Sequence, residues 1–244
     1  MQWREQGGVR WLEAELSGAR AVFSTRVGGV SDAPYDALNV AIMTGDERER
    51  VRENRRRLAT ALGREPDGVV MGRQVHGAEL KSHEEPQQPR VFAEVVASPD
   101  EVDAHATSRR GLTPLVMVAD CLPVAMVGPA GVAMAHCGWR GLAGGIVERA
   151  VGATGAQAAA IGPGIGPCCY EVGQEVLTEF SDLDGVAEGR MLDLPAVAAA
   201  LLARAGVGAT ESADLCTKCN PELFYSHRRD GERTGRQAGL VWMD

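Results

Sequence analysis

The stretch MVADCLPVAMVGPAGVAMAHCGWRGLAGGI, residues 117–146, constrains the fold more than any other part of the chain. Two apolar runs, PVAMV and VAMAH, flank the turn GPAG at 128–131, which is the pattern of a β-hairpin. If that turn is the whole connection, Val127 pairs with Val132 and His136 falls opposite Pro123. Cys121 is then the diagonal neighbour of His136 on the same face. A backbone separation of about 7–8 Å lets both side chains reach one ion. A bulge at DCLP would break this register.

Further strand-like runs are ARAVFSTR, GVVMGRQV, RVFAEVV, LTPLVMVAD, AAAIGPGI and GLVWM. Helical patterns are DERERVRENRRRLATALG, GLAGGIVERAVGATG, GQEVLTEFS and DLPAVAAALLARAG. In the last, Asp193 can cap, Pro195 sits in the first turn and Gly206 ends the helix. SHEEPQQPR (82–90) and SDLDGVAEGR (181–190) read as loops. Strands outnumber helices and do not alternate strictly with them. The expectation is an α+β fold, mixed β-sheets flanked by helices, in one domain over 1–244.

A net charge of −8 argues against non-specific nucleic-acid binding, and the basic helix around RENRRR reads as surface. MQWREQGGVRWLEAEL has no apolar leader core, and no run approaches the roughly 20 apolar residues of a membrane span. The chain is therefore expected in the cytoplasm, with no membrane partner. In a reducing compartment the six cysteines are thiols or ligands before they are disulfides. Cys137 and His105 read as core. Cys216 and Cys219 form a C-x-x-C with no second such pair to complete it; PCCY is a poor substitute. They read as structural thiols ahead of metal ligands.

His76, in GRQVHGAE, ends another apolar run and is followed by a glycine that lets the chain turn away. With Cys121 and His136 it makes one thiolate and two imidazoles, a set that suits Zn²⁺ with the fourth corner open. Copper has high affinity for the same donors, so Cu²⁺ could sit there too. A multicopper cluster is a different matter: it needs many imidazoles, and this chain has five histidines and no His-x-His.

Six segments in order resemble one bacterial family: STRVGGVS with LNVA, QVHG, VADCLPV, AHCGWRGLAGGI, IGPGIGPCCYEVG and FYSHRRDGERTGRQ. It is the YfiH-like family, variously called laccase-domain polyphenol oxidase, peptidoglycan-editing factor and purine nucleoside phosphorylase. The resemblance implies an αββα-type domain with zinc on His76, Cys121 and His136. It also implies phosphorolysis of adenosine, inosine and methylthioadenosine, and deamination of adenosine. Purine nucleosides and phosphate are thus the expected partners.

Within that frame Asp120, next to Cys121, is either a proton carrier or the cap of its turn. GWRGLAGGI offers a glycine-rich helix entry and Arg140 for an anion, and IGPGIGP a second backbone nest. Arg26 before a GG turn could reach a ligand, Asn39 could read a base or ribose hydroxyl, and Arg228 or Arg229 could close over an anion. The competing readings are hydrolytic editing of a cell-wall precursor by zinc-activated water, a closed structural zinc in a binding protein, and copper-dependent phenol oxidation. The histidine count disfavours the last.

Overall fold

The computed structural model describes residues 1–98 and 100–244. In chain order the elements are β1 (Gln2–Gln6), β2 (Val9–Leu16), β3 (Ala19–Ser24), α1 (Arg48–Ala61), β4 (Val69–Val70), β5 (Leu80–Ser82), α2 (Val91–Glu94), β6 (Ala104–Thr107), β7 (Thr113–Val118), β8 (Leu122–Gly128) and β9 (Gly131–Cys137). There follow α3 (Trp139–Ala143), α4 (Ile146–Thr154), β10 (Ala158–Ile161), α5 (Gln174–Glu179), β11 (Ala187–Glu188), β12 (Met191–Leu192), α6 (Leu194–Arg204), β13 (Ala209–Ser212), α7 (His227–Asp230) and β14 (Gln237–Met243).

Two six-stranded sheets stack face to face, ordered β1-β2-β3-β14-β7-β4 and β13-β10-β8-β9-β6-β5. Most neighbours are antiparallel, while β4–β7, β5–β6 and β10–β13 are parallel. Inward side chains such as Phe23, Val116, Met134 and Val241 fill the space between the sheets. The outer face of the first sheet packs on α1 and α2 through Leu58, Phe92 and Leu115. That of the second packs on α4 and α6 through Val124, Ile146 and Leu202. The layers are thus α-β-β-α, an α+β architecture of mixed sheets.

The β8–β9 register is the one the four-residue turn dictates: Val127 pairs with Val132 and Pro123 with His136. Cys121 lies one residue before β8, so no bulge disturbs the ladder between them. Asp193 caps α6 by accepting from the Ala196 N–H at 2.9 Å.

Three expectations change. RVFAEVV forms the short helix α2, because its buried residues Val91, Phe92 and Val95 follow helical rather than alternating spacing. The helix expected over GLAGGIVERAVGATG is broken into α3 and α4 at Gly144–Gly145, where Gly145 takes φ 85°. The basic helix is not all surface: Arg55 is 2% exposed and donates to the carbonyls of Val40, Val91 and Phe92. The N-terminal hairpin β1–β2 carries no strand signal strong enough to read among its charges, and it forms by pairing with β3.

Candidate metal centre

Three chain segments meet at the end of the β8–β9 hairpin. His136 comes from β9 and is 4% exposed, Cys121 precedes β8, and His76 sits on a turn after β4. Their ligand atoms all lie within 4.8 Å of one another. The two imidazoles meet edge to face with centroids 4.9 Å apart.

Asp103, fully buried, holds this arrangement. Its Oδ1 accepts from the His76 backbone N–H at 3.0 Å and from His136 Nδ1 at 2.7 Å; its Oδ2 accepts from the N–H groups of Val75 at 3.1 Å and Gly77 at 2.8 Å. With Nδ1 committed to Asp103, the His136 nitrogen left for an ion is Nε2. The same carboxylate clamps the turn in which His76 adopts a left-handed φ of 60°. Gln74 ties that turn to β7 by two hydrogen bonds with the Met117 backbone, both at 2.7 Å. Gly138 completes the fit: a Cβ there would lie 3.0 Å from Cys121 Sγ and 3.4 Å from His76 Cδ2.

The electrostatics favour a soft cation. Burial works to raise the Cys121 thiol, yet the His136 charge and hydrogen bonds from His136 and His76 bring it down to about 6. Burial opposes charge on His136, but the Cys121 sulfur and Asp103 raise it to about 9. Burial also pushes Asp103 up, and its bond with His136 pulls it below the usual carboxylate range. One thiolate and two imidazoles, convergent and held from behind, fit a tetrahedral ion with one corner left over.

That corner faces a cavity of about 620 Å³. Arg55, Arg73, Arg140, Arg228 and Arg236 line it with Tyr170 and His227, alongside Met71, Met117 and Val96. Its size suits a small organic ligand, with apolar walls and a few convergent polar groups. The Arg140 guanidinium stacks over Trp139, 4.4 Å from the ring centroid, and that of Arg228 over Tyr170 at 5.2 Å. Arg228 Nη1 also donates to the Glu171 carbonyl at 3.0 Å.

Other expected ligand contacts fall elsewhere. Asn39 is fully buried and spends its amide on Ala41, Thr44, Asp46 and the Arg236 N–H. It shapes the loop behind the cavity and cannot read a base. Arg26 bonds the carbonyls of Asp36 and Pro221, pairs with the Asp36 carboxylate and stacks on Tyr225, joining two loops away from the cavity. Arg229 likewise holds carbonyls of Thr217, Lys218 and Phe224. The IGPGIGP nest does not form: the N–H groups of Gly162, Gly164 and Ile165 donate to Pro123, Leu215 and Asp120 carbonyls. Its glycines serve close packing, since a Cβ on Gly162 would lie 2.3 Å from the Phe23 ring.

Asp120 is buried beside the cavity in a left-handed conformation, φ 94°. Both its oxygens are occupied, Oδ1 by the Thr217 hydroxyl and Oδ2 by the Arg228 backbone N–H, each at 2.6 Å. Asp103, Arg236 and Tyr170 escaped the sequence reading. Asp103 acts on residues about 27 and 33 positions away, and nothing local in EVDAHA marks it.

Residues 20–244 match the family described as multi-copper polyphenol oxidoreductase laccase. The chain is 39% identical over 241 residues to purine nucleoside phosphorylase YfiH of Escherichia coli (strain K12), covering 93% of this chain and 94% of that one. It is 34% identical over 262 residues to purine nucleoside phosphorylase YlmD of Geobacillus stearothermophilus, covering 98% and 96%. The crystal structure of YlmD from Geobacillus stearothermophilus superposes with a TM-score of 0.88 at 33% identity over 99% of this chain and 98% of that one. That of the Bacillus licheniformis hypothetical protein YfiH gives 0.87 at 29% identity over 99% of each.

Proposed function

The chain belongs to the multi-copper polyphenol oxidoreductase laccase family, and from that premise we propose that it is a purine nucleoside phosphorylase whose His76, Cys121 and His136 hold zinc. The observation that carries this reading is the charge around the cavity. Five arginines line the cavity, and among the described residues lining it Asp120 is the sole carboxylate. Such a site attracts a phosphate, and relatives named purine nucleoside phosphorylase share nearly the whole chain.

Phosphorolysis joins a phosphate oxygen to ribose C1′ and breaks the bond from C1′ to the purine nitrogen. The departing purine carries the bond's electron pair and must be neutralised. Arg140 and Arg228 are placed to hold the phosphate, and the Tyr170 and Trp139 rings offer faces for a base or ribose. His227 lines the same wall and can deliver a proton to the leaving purine. Bound at the cluster, zinc supplies Lewis acidity toward an oxygen or nitrogen of the substrate. The five histidines rule against a multicopper cluster, and one thiolate with two imidazoles and an open corner is a donor set that suits zinc. Asp103 keeps His136 in the tautomer that offers Nε2.

Adenosine deamination is the second reading, supported by the open corner beside the cavity. It needs a free acid–base group next to the attacking water. Asp120 and Asp103 have all four oxygens engaged, so His227 would have to serve that step as well. Precursor editing would use the same open corner, and no residue separates it from deamination.

The test is zinc-loaded protein with adenosine, with and without phosphate. Adenine and ribose 1-phosphate that appear only with phosphate are the expected result. Inosine formation would favour deamination. No adenine from fully zinc-loaded protein would overturn the assignment.

A further inference from the structure

Four cysteines outside the cavity converge from two loops. Cys168 and Cys169 lie between β10 and α5, and Cys216 and Cys219 between β13 and α7. Their sulfurs all lie within 4.8 Å of one another, with Cys168–Cys219 at 3.6 Å and Cys169–Cys219 at 3.4 Å. We propose that Cys168, Cys169, Cys216 and Cys219 form a second, structural zinc site, closed by four thiolates. The PCCY segment completes the C-x-x-C after all, because the fold brings it there.

The spacing is that of ligands around one ion. Tetrahedral zinc with bonds of about 2.3 Å sets its sulfurs about 3.8 Å apart. A disulfide requires about 2.05 Å, and adjacent cysteines such as Cys168–Cys169 rarely meet its geometry. A pair of alternating disulfides also leaves no reason for all four sulfurs to share one point.

Both loops are built to hold that point. Cys169 and Tyr170 N–H groups bond back to the Gly166 carbonyl at 3.0 and 3.1 Å, forming one turn. The other is closed by Asn220, whose amide donates to the Cys216 carbonyl at 2.8 Å. The turns are laced by Gly164 N–H to the Leu215 carbonyl at 3.3 Å and Thr217 N–H to the Gly164 carbonyl at 2.9 Å. Gly166 runs directly under the sulfurs: a Cβ on it would stand 3.3 Å from Cys216 Cβ and 3.6 Å from Cys168 Sγ. Arg229 holds the Thr217 and Lys218 carbonyls and so sets a cation against the C-x-x-C turn.

Loading needs no oxidant or reductant. One Zn²⁺ and four thiols give a tetrathiolate of net charge −2 and release four protons. Four protein ligands leave no corner for water, so the ion is a clasp. It would fasten the loop of Tyr170 and Glu171 to the loop that leads into Arg228, which donates to Asp120 and covers Tyr170. The clasp thereby fixes one wall of the cavity.

The experiment is zinc stoichiometry by elemental analysis of the full chain purified without added metal. Wild type is expected to hold two equivalents, Cys121→Ala one, and Cys216→Ser/Cys219→Ser one. X-ray absorption on zinc-bound Cys121→Ala should show a sulfur-only shell at about 2.3 Å. Its cobalt form should show thiolate charge-transfer bands. This arm does not depend on the double variant folding. One equivalent in wild type, absent from Cys121→Ala and kept by Cys216→Ser/Cys219→Ser, would overturn the proposal. So would nitrogen ligands around the metal of Cys121→Ala, or reduced Cys121→Ala that refuses zinc. One equivalent kept by Cys121→Ala and lost from the double variant would support this site while removing zinc from His76, Cys121 and His136.

Discussion

Asp103→Asn isolates what the buried carboxylate contributes to the metal centre. Four donors share its two oxygens: His76 N–H and His136 Nδ1 on Oδ1, Val75 and Gly77 N–H on Oδ2. The replacing amide has one acceptor oxygen, so in either orientation two donors face an NH₂ group. Two hydrogen bonds to a charged acceptor are lost, at about 1.5–3 kcal/mol each, or about 3–6 kcal/mol together. Part of this falls on the ion. Loss of a carboxylate behind a ligating histidine costs roughly 10–100-fold in affinity, about 1.4–2.8 kcal/mol. The remainder falls on the 75–77 turn and should lower Tm by about 3–12 °C for a chain of this size. Competition against a chromophoric chelator measures the first quantity, and thermal melting of the metal-free protein the second. Zinc affinity within twofold of wild type in both Asp103→Asn and Asp103→Ala, the latter leaving His136 no acceptor in any orientation, would show that Asp103 supports only the turn and that His136 needs no partner.

Gly138→Ala is sterically different. Gly138 has φ −80° and ψ 167°, which alanine adopts freely, so its effect is the 3.0 Å approach of the new Cβ to Cys121 Sγ. Zinc affinity should fall about tenfold or more, with Tm of the metal-free protein nearly unchanged; chelator titration and melting read the two separately. Arg140→Ala should raise KM for phosphate about 10–100-fold, the worth of a charged hydrogen bond, while KM for adenosine changes little; steady-state kinetics with each substrate varied decide it. Acid should unfold the protein through His83 and His105, whose rings meet at 3.0 Å. Burial lowers their pKa values to about 4 and 3. The unfolded chain therefore binds more protons than the native one below pH 6.5. Stability is complete above that value and falls toward pH 4, by up to about 1.4 kcal/mol per pH unit for each ring. A urea midpoint that stays level between pH 7 and pH 4.5 would contradict this.

Sequence legibility followed the range of each interaction. The hairpin register was readable because a four-residue turn fixes it, and that register delivers Cys121 and His136 to one face. His76 was readable from the glycine after it, though its left-handed backbone was not. Asp103 was invisible: it acts on a turn 27 residues earlier and a histidine 33 residues later. Arg26 and Asn39 misled because polar residues in glycine-rich loops serve ligands and loop closure alike, and only burial separates the two. The convergence of the four cysteines was not legible for the converse reason. A C-x-x-C and a C-C pair are each weak locally, and β10–β13 pairing is what brings their loops together.

Asp120 was readable as an important residue but ambiguous in role, and Asp120→Asn separates the alternatives. An amide can replace this carboxylate with both bonds kept. Its oxygen accepts from the Arg228 N–H, and its NH₂ donates to Thr217 Oγ, since a hydroxyl accepts as readily as it donates. The left-handed φ of 94° is also tolerated better by Asn than by most residues. The substitution therefore preserves the anchor and deletes the carboxylate's charge and its ability to take up a proton. If Asp120 joins Cys121 to the α7 loop and does no more, kcat for phosphorolysis should stay within about threefold and Tm within a few degrees. A general acid or base contributes about 10²–10⁴-fold. A loss of that size in kcat, with Tm and zinc content intact and with the acidic limb of the pH–rate profile abolished, would place the proton on Asp120 and refute the anchor, because the charge removed with the carboxylate alters the cavity's field without removing a titration.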